Sequence, residues 1–384
     1  MKIAVVAGTF PKTSETFVKR HVECLSRGES VLICHSLEKG YVPERPTFII
    51  NHQSHEPGIS KKLRKCINFA QGRGFSGLSR QKMSELEKFL FEHNIDCILT
   101  EFGILGVNVL PVVKKLNMPL FTYFRGYDAS SAIRKWHVRL GMADSVDLSL
   151  GIFAVSEFLI KNLSQYGISH SNYHIIPSGV DTKIFLPKPK DPNQALYVGR
   201  FVEKKNPLLI IRAFLSVCNR HPEARLIMIG DGPLLDQAKA LIESHSHGDK
   251  IQLIGAQDHS VVREYMGSSG IFLQHSVTAK DGNTEGLPSA IQEAMSCGCA
   301  VLATRHAGIP YLIKDNENGF LVDEFAEQQY AEALSILLNN VPLQKKCGDS
   351  NRAVAEERLD CWYLQNKLET IISETIISRS SIVR

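Results

Sequence analysis

Two carboxylates and two cations have the residue types that could catalyse a reaction or bind a charged ligand. Glu285 lies in a polar loop, and Glu293 follows it by eight residues within a predicted helix. Two nearby carboxylates could serve acid–base catalysis. Arg200 and Lys205 lie five residues apart. Arginine offers a planar fork and lysine a point charge, which together suit a diphosphate, although a solvated charged turn has the same composition.

The stretch from residue 278 to residue 303 contains the element expected to position the carboxylates. Proline needs no N–H at the first helical position, so Pro288 is predicted to open a helix. Gly298 is predicted to end this helix as its C′ residue, and Cys299 to Ala303 reads as a buried strand. The free N–H groups and partial positive charge of such a helix N-terminus favour phosphate or sugar oxygens.

Three glycines follow predicted strands: Gly8, Gly199 and Gly230. In an open α/β sheet, ligands bind beyond the carboxyl ends of the strands. Gly199 therefore places Arg200 at a ligand-binding edge. Gly230 lets the backbone approach a ligand, or serves only a tight strand-to-helix turn. Gly8 is predicted in a turn that either faces a ligand or simply connects two elements.

Strands alternate with helices along both halves of the chain, which predicts an α/β protein with two Rossmann-like, doubly wound parallel sheets facing a cleft. The predicted strands are 3–7, 31–34, 96–100, 120–124, 151–155, 174–176, 195–198, 225–229, 251–254, 271–274 and 299–303. The predicted helices are 15–27 (capped by Ser14), 80–93, 105–116, 157–166, 207–219, 233–244, 260–266, 288–297, 326–338, 342–358 and 361–377. Residues 36–80 show no clear period.

Length and proline content divide the chain. Its 384 residues exceed the roughly 250–300 that one core usually serves. Three prolines between residues 186 and 193 predict a linker. The predicted domains are 1–185 and 194–360, with the carboxy-terminal helix, about 361–384, packing back on the first domain.

Composition excludes several classes of protein. A net charge of +4 is too mild for nucleic-acid binding. Nine irregularly placed cysteines favour a reducing, cytoplasmic compartment. We predict no transmembrane helix, nicotinamide fingerprint or nucleophile elbow, and the sequence contains no Asp-x-Asp pair for a metal diphosphate. The basic stretch 61–82 is either a solvated face or a peripheral contact with an anionic membrane.

Taken together, these motifs resemble family-4 (group-1) glycosyltransferases of GT-B fold, over nearly the whole chain. The resemblance rests on the order and spacing of Gly199-Arg200, Lys205 and Glu285-x7-Glu293, together with runs at 154–156, 175–185, 195–206, 294–304 and 318–322. The segments 10–17 and 276–283 are similar to the bacterial branch that builds exopolysaccharides of the colanic-acid type.

The resemblance implies a retaining transfer of a sugar from a nucleotide diphosphate sugar to a glycan or lipid-linked acceptor, with no metal or other cofactor. Arg200 and Lys205 would then neutralise the departing diphosphate. Glu285 and the N–H groups of Gly286 and Leu287 would hold the donor sugar. Ser289 would lie near the phosphates, and Glu293 would accept hydrogen bonds from the ribose hydroxyls.

One position departs from the family pattern. The family commonly has His-Gly-x-Asp after a strand of the first domain, where this chain has Arg125-Gly126-Tyr127-Asp128. Arginine cannot act as a base at neutral pH, so Arg125 is predicted only as a binding contact in the cleft. Asp128 would orient the loop or act as an ordinary turn residue. A sugar-nucleotide epimerase and a non-catalytic sugar-nucleotide sensor are the alternative functions.

Overall fold

The computed structural model describes residues 1–12, 15–50 and 78–382. The chain forms two compact units, Met1–Ile176 with Gln365–Arg384, and Pro177–Leu364. The predicted linker, 186–193, lies inside the second unit, and its last three residues begin a strand. Pro192 is the strand's second residue. The strand pairs with one neighbour from Asp191 and with the other only from Gln194, and proline is tolerated near such a strand start because it has no N–H to donate.

The first unit contains a seven-stranded parallel sheet in the order β3-β2-β1-β4-β5-β6-β7. Its strands are β1 (Ile3–Phe10), β2 (Val31–Leu37), β3 (Thr47–Ile49), β4 (Cys97–Thr100), β5 (Leu120–Phe124), β6 (Gly151–Ala154) and β7 (Tyr173–Ile175). The helices are α1 (Thr16–Cys24), α2 (Arg80–Glu92), α3 (Gly103–Leu116), α4 (Trp136–Leu148) and α5 (Glu157–Gln165). Helices cover the faces of such a sheet, so its central strands β1, β4 and β5 are mostly apolar and buried.

The second unit contains a six-stranded parallel sheet in the order β10-β9-β8-β11-β12-β13. Its strands are β8 (Asp191–Val198), β9 (Arg225–Ile229), β10 (Ile251–Leu253), β11 (Ser269–Leu273), β12 (Ala300–Thr304) and β13 (Gly319–Val322). The helices are α6 (Pro207–Val217), α7 (Leu235–Glu243), α8 (His259–Ser268), α9 (Ser289–Ser296), α10 (Ile309–Leu312), α11 (Glu327–Asn339) and α12 (Val341–Arg358); α13 (Cys361–Ile382) closes the chain. The prediction of two doubly wound parallel sheets is confirmed.

Several predicted boundaries were wrong. β1 continues to Phe10, so Gly8 lies inside a strand rather than in a turn. α1 ends at Cys24 rather than Arg27, because Ser26 and Arg27 adopt left-handed backbone conformations, with φ of 56° and 54°. α4 was not predicted, because Trp136 and Leu140 are exposed and disturb the apolar period of the helix.

Two sequence predictions fall on residues that the structure does not describe. Ser14, the predicted cap of the first helix, lies outside the described residues, and so do residues 61–77 of the basic stretch. In the part of the chain that is described, no helix is long and apolar enough to span a membrane.

Candidate functional site

The strand order of the second unit brings the predicted site residues to one place. The sheet reverses its order between β8 and β11, and ligands bind at the carboxyl ends of strands at such a reversal. Arg200 follows β8, and residues 274–288 connect β11 to α9. The segment with the cations and the loop with Glu285 therefore leave neighbouring strands of the sheet.

Glycine allows the loops after β8 and β9 to pack directly on each other. The Gly199 amide donates to the Ile229 carbonyl at 3.0 Å, and the Phe201 amide donates to the Asp231 carbonyl at 2.8 Å. Gly230 has a φ of +143°, and a side chain there would collide with the Gly199 carbonyl. This packing leaves the Arg200 side chain exposed at the sheet edge.

Lys205 and Glu285 form a partly buried ion pair. Lys205 lies in a 3₁₀ turn, Glu203–Lys205, and its Nζ is 3.3 Å from Glu285 Oε1. Lys204 Nζ lies 3.6 Å from the same oxygen. Burial alone would raise the pKa of Glu285, but the two ammonium groups lower it to about 2. Glu285 is therefore ionised. Neither lysine was predicted from the sequence as a partner of Glu285, and Lys204 was not among the predicted site residues.

Glu293 lies within electrostatic range of the same cation. It is the fifth residue of α9. Burial raises the pKa of Glu293, while His259 and Lys205 oppose this rise. Lys205 therefore interacts with both carboxylates of the predicted motif. The interaction of His259, the first residue of α8, with Glu293 was not predicted from the sequence, since a single histidine at the start of a helix carries no recognisable pattern.

The backbone before α9 is held against the next loop. The Gly286 carbonyl accepts a hydrogen bond from the Gly308 amide at 3.1 Å, and Leu287 is buried. The prediction that Pro288 opens the helix was wrong by one residue. Its ψ of 125° makes it the extended N-cap residue, and Ser289 begins the helix. Gly298, with a φ of +71°, lies just beyond the helix as predicted.

The Lys205–Glu285 pair predicts a pH dependence of stability. The pKa of Glu285 falls on folding, so the pair stabilises the protein above the unfolded pKa and this stability is lost as pH falls from about 5 towards 2. Glu285→Gln is expected to cost roughly 3 kcal/mol at pH 7, and less as the pH falls. Denaturant unfolding of both proteins at pH 7, 5 and 4 measures this, and a constant difference across these pH values would contradict it.

Arg125 is a buried residue of the first unit. It follows β5, and only 4% of its side chain is exposed. One guanidinium nitrogen lies 2.5 Å from Glu101 Oε2, and the guanidinium carbon lies 3.5 Å from the centre of the Tyr123 ring. Glu101 itself is fully buried after β4, and His21 Nδ1 lies 2.5 Å from its other oxygen. Sequence reasoning missed Glu101, although its place at the end of the neighbouring strand could have indicated it.

Burial and ion pairing shift the pKa values of Glu101 and His21, and so determine their charge states. Burial alone would raise the pKa of Glu101, but His21 and Arg125 lower it to about 2. Burial lowers the pKa of His21, which favours its neutral form. Glu101 is therefore ionised and is paired with the Arg125 cation inside the first unit.

Asp128 holds the loop that carries Arg125. Its Oδ1 accepts hydrogen bonds from the amides of Arg125, Gly126 and Ala129 at 2.9–3.1 Å, and its Oδ2 accepts one from the Gly103 amide at 2.9 Å. Burial raises the pKa of Asp128, and these four donors oppose the rise. The side chain therefore stabilises the backbone after β5.

Gly8 belongs to the first unit and is not part of the cluster around Glu285. Gly8 lies in β1, and a side chain there would meet no atom within 4 Å, so the strand has open space beside it.

Among residues 1–12, 15–50 and 78–382, no group of three or more His, Cys, Asp or Glu side chains is placed to hold a metal ion.

A cavity of about 520 Å³ lies at the opposite end of the second sheet. Its lining includes Lys190 and Pro192 near the start of β8, and Gly298 just before β12. None of the predicted site residues lines this cavity, so it is separate from the cluster around Glu285.

The two parallel-sheet units have the GT-B fold. Solved structures of the same architecture include Anabaena Alr3699/HepE in complex with UDP, with a TM-score of 0.76, 15% identity and coverage of 97% of this chain and 100% of that one. Sucrose-phosphate synthase from Thermosynechococcus elongatus gives a TM-score of 0.77 and 15% identity, with coverage of 98% and 99%. At these identities the likeness shows the fold alone.

Sequence comparison identifies the family within that class. Residues 20–184 match the family model Glycosyltransferase Family 4, and residues 181–354 match the family model Glycosyl transferases group 1. The chain therefore belongs to the group-1, family-4 glycosyltransferases.

Its curated relatives include glycosyltransferases of bacterial polysaccharide biosynthesis. The putative colanic acid biosynthesis glycosyltransferase WcaL of Escherichia coli is 28% identical over 62% of this chain, and the amylovoran biosynthesis glycosyltransferase AmsK of Erwinia amylovora is 30% identical over 62%. These alignments span 61% and 60% of the relatives' own lengths. WcaL of Salmonella typhimurium is 28% identical over 87% of this chain and 90% of its own length.

Proposed function

We propose that the protein moves a sugar from a nucleotide diphosphate sugar to a hydroxyl group of a glycan or lipid-linked acceptor in bacterial surface polysaccharide biosynthesis. The ion pair between Lys205 and Glu285 at the ends of β8 and β11 carries this proposal. It places a cation for phosphate beside a carboxylate for hydroxyl groups. The names of the relatives, and the UDP-glucose complex of HepE, support the same substrate class.

The donor is proposed to lie along the carboxyl ends of these strands. Arg200 and Lys205 would bind the diphosphate, and the fixed charge of Lys205 would stabilise the leaving group in the transition state. Glu285 would accept hydrogen bonds from the donor-sugar hydroxyls. The half-buried carboxyl of Glu293, which also interacts with the Lys205 charge, would bind the ribose.

Backbone groups would complete the donor site. The amides of Gly286 and Leu287 precede α9, and Ser289 is its first residue, so they would donate to sugar and phosphate oxygens at the start of this helix. Gly199 and Gly230 would let the diphosphate approach the main chain of the two packed loops.

We propose a retaining transfer that needs no metal ion. An inverting transfer needs a base for the acceptor hydroxyl. Glu285 is unsuited to that task, because its pKa of about 2 makes it a weak base. Asp128 is equally unsuited, since both of its oxygens accept backbone hydrogen bonds. In a retaining transfer the departing phosphate can accept the proton, and the two cations supply the charge that a metal ion would bring.

The test is release of nucleoside diphosphate from a panel of UDP-, GDP- and ADP-sugars, with and without EDTA. We expect turnover of at least one donor, unchanged by EDTA, and NMR of the product should show the anomeric configuration of the donor. Strict dependence on a divalent metal would contradict the assigned roles of Arg200 and Lys205. Interconversion of the donor sugar would indicate an epimerase, and binding without turnover would indicate a sensor.

A further inference from the structure

The loop that carries Glu285, residues 274–288, is held by hydrogen bonds on two sides. On one side it contacts the turn that holds Lys205: the Val277 amide donates to the Lys204 carbonyl at 2.9 Å. On the other side it contacts His306 and Glu324, which follow β12 and β13. Neither residue belongs to the motifs that identify the donor site.

His306 and Glu324 form a short chain of hydrogen bonds, called the relay below, that ends at the backbone amide of Glu285. The Glu285 amide donates to His306 Nε2 at 3.1 Å, and His306 Nδ1 lies 2.6 Å from Glu324 Oε1. The other oxygen of Glu324 accepts a hydrogen bond from the Thr278 amide at 2.9 Å. The carboxylate and the imidazole together therefore hold both ends of the loop from 278 to 285.

The geometry fixes the tautomer of the imidazole. A backbone amide can only donate, so Nε2 of His306 must be the unprotonated nitrogen. Nδ1 then carries the proton and donates it to the carboxylate of Glu324. Removing the negative charge of Glu324, or either ring nitrogen of His306, breaks this arrangement.

The backbone around both residues is unusual in the same way. Ala307 follows His306 with a φ of +49°, and Phe325 follows Glu324 with a φ of +65°. Residues with side chains rarely adopt such conformations, which are concentrated at active sites and ligand-binding sites. The His306 side chain is also almost fully buried, with 2% exposed.

We propose that His306 and Glu324 are positioning residues that set the place of Glu285 on the donor sugar. The inference rests on the proposed function of Glu285. We expect that disturbing the relay lowers kcat/KM for sugar transfer. The affinity for the nucleoside diphosphate should stay almost unchanged, because Arg200 and Lys205 bind the phosphates.

The substitutions are chosen to test separately the hydrogen bond from the Glu285 amide to His306 and the hydrogen bond from His306 to Glu324. Glutamine can place an oxygen near the position of Nε2, so His306→Gln keeps an acceptor for the Glu285 amide. Asparagine can place a nitrogen near the position of Nδ1, so His306→Asn keeps the donor to Glu324 and loses the acceptor. Glu324→Gln keeps one acceptor oxygen in place of two, so it cannot accept both from Nδ1 of His306 and from the Thr278 amide, and one end of the loop is released.

The first readout is hydrogen exchange of the amides from 277 to 286, which needs no activity. We expect the Glu285 amide to exchange at least about tenfold faster in His306→Asn, His306→Ala and Glu324→Gln. Exchange should stay close to that of the wild type in His306→Gln. Unchanged protection in His306→Ala, or equal protection in the asparagine and glutamine variants, would overturn the proposal.

The second readout is kinetic and uses the donor found with the wild-type protein. In the three disrupted variants, kcat/KM should fall about tenfold or more, while the Kd of the nucleoside diphosphate changes less than about twofold. A parallel loss of both would indicate general damage and count against a positioning role. If the wild-type protein turns over no donor, the proposed function fails, and the exchange pattern still decides whether the relay holds the loop.

Discussion

Lys205→Ala is expected to lower kcat/KM for sugar transfer by about 10³-fold and to leave the fold intact. Lys205 Nζ is 3.3 Å from Glu285 Oε1, and its charge also reaches Glu293. The proposed transition state develops negative charge on the leaving diphosphate, and a fixed cation stabilises that charge without reorganisation. Steady-state rates and circular dichroism of both proteins measure the two halves of this prediction.

Lys204→Ala is the matched control. Lys204 adjoins Lys205 and lies 3.6 Å from the same carboxylate oxygen, so its removal disturbs Glu285 to a comparable degree. We expect a loss of about tenfold or less in this variant, because we place Lys204 beside the carboxylate rather than at the phosphates. Equal losses in the two variants would show that Lys205 acts only by holding Glu285, and wild-type rates in Lys205→Ala would remove its catalytic role.

The local signals in the sequence predicted much of the fold. Alternating apolar strands and helices indicated both sheets, since a parallel sheet buries both faces and needs continuous apolar runs. Gly298 marked the end of α9 because a left-handed residue is required there, and its φ is +71°. These features depend on a few neighbouring residues and can be recognised without knowing the tertiary structure.

Partners that are distant along the chain could not be predicted in the same way. The pairing of Glu285 with Lys204, and the hydrogen bond of its amide to His306, depend on which strands are neighbours in the sheet. The strand order places β8 beside β11, although 70 residues separate the end of β8 from the start of β11. The motif that spans Glu285 and Glu293 therefore indicated the type of site and did not indicate what holds it.

The departure at Arg125 is the clearest example of this limit. From the sequence alone it was an unusual cation at a position that faces the donor in the family. The structure adds Glu101, which follows the adjacent strand β4, and the rings of Tyr123 and Phe17, whose centres lie 3.5 and 4.3 Å from the guanidinium carbon. A cation with such neighbours has an internal role that the pattern around residue 125 cannot show.

The second large effect is therefore expected from Glu101→Gln. This substitution should lower the free energy of unfolding by about 3–5 kcal/mol, because it leaves the Arg125 cation in a buried place without its carboxylate partner. Glu101 is fully buried, so water cannot take the place of its carboxylate beside the Arg125 cation without opening the end of β4. Urea unfolding monitored by tryptophan fluorescence at neutral pH measures the change, and a loss below about 1 kcal/mol would contradict the buried pair.

The pH dependence gives a second check on the same pair. The pKa of Glu101 is lowered to about 2 on folding, so its stabilising contribution is present above the unfolded pKa and is lost as pH falls from about 5 towards 2. The gap between the wild-type protein and Glu101→Gln should therefore narrow as the pH falls through this range.

Removing both charges separates a role in stability from a role in transfer. Glu101→Gln combined with Arg125→Met takes away the cation together with its partner, and such double replacements often cost little stability. We expect the double variant to unfold at a higher urea concentration than Glu101→Gln alone. If it also transfers sugar at the wild-type rate, Arg125 serves only the internal carboxylate. If it folds but transfers about a hundredfold more slowly, the guanidinium contributes to the reaction, as the position of the family histidine implies.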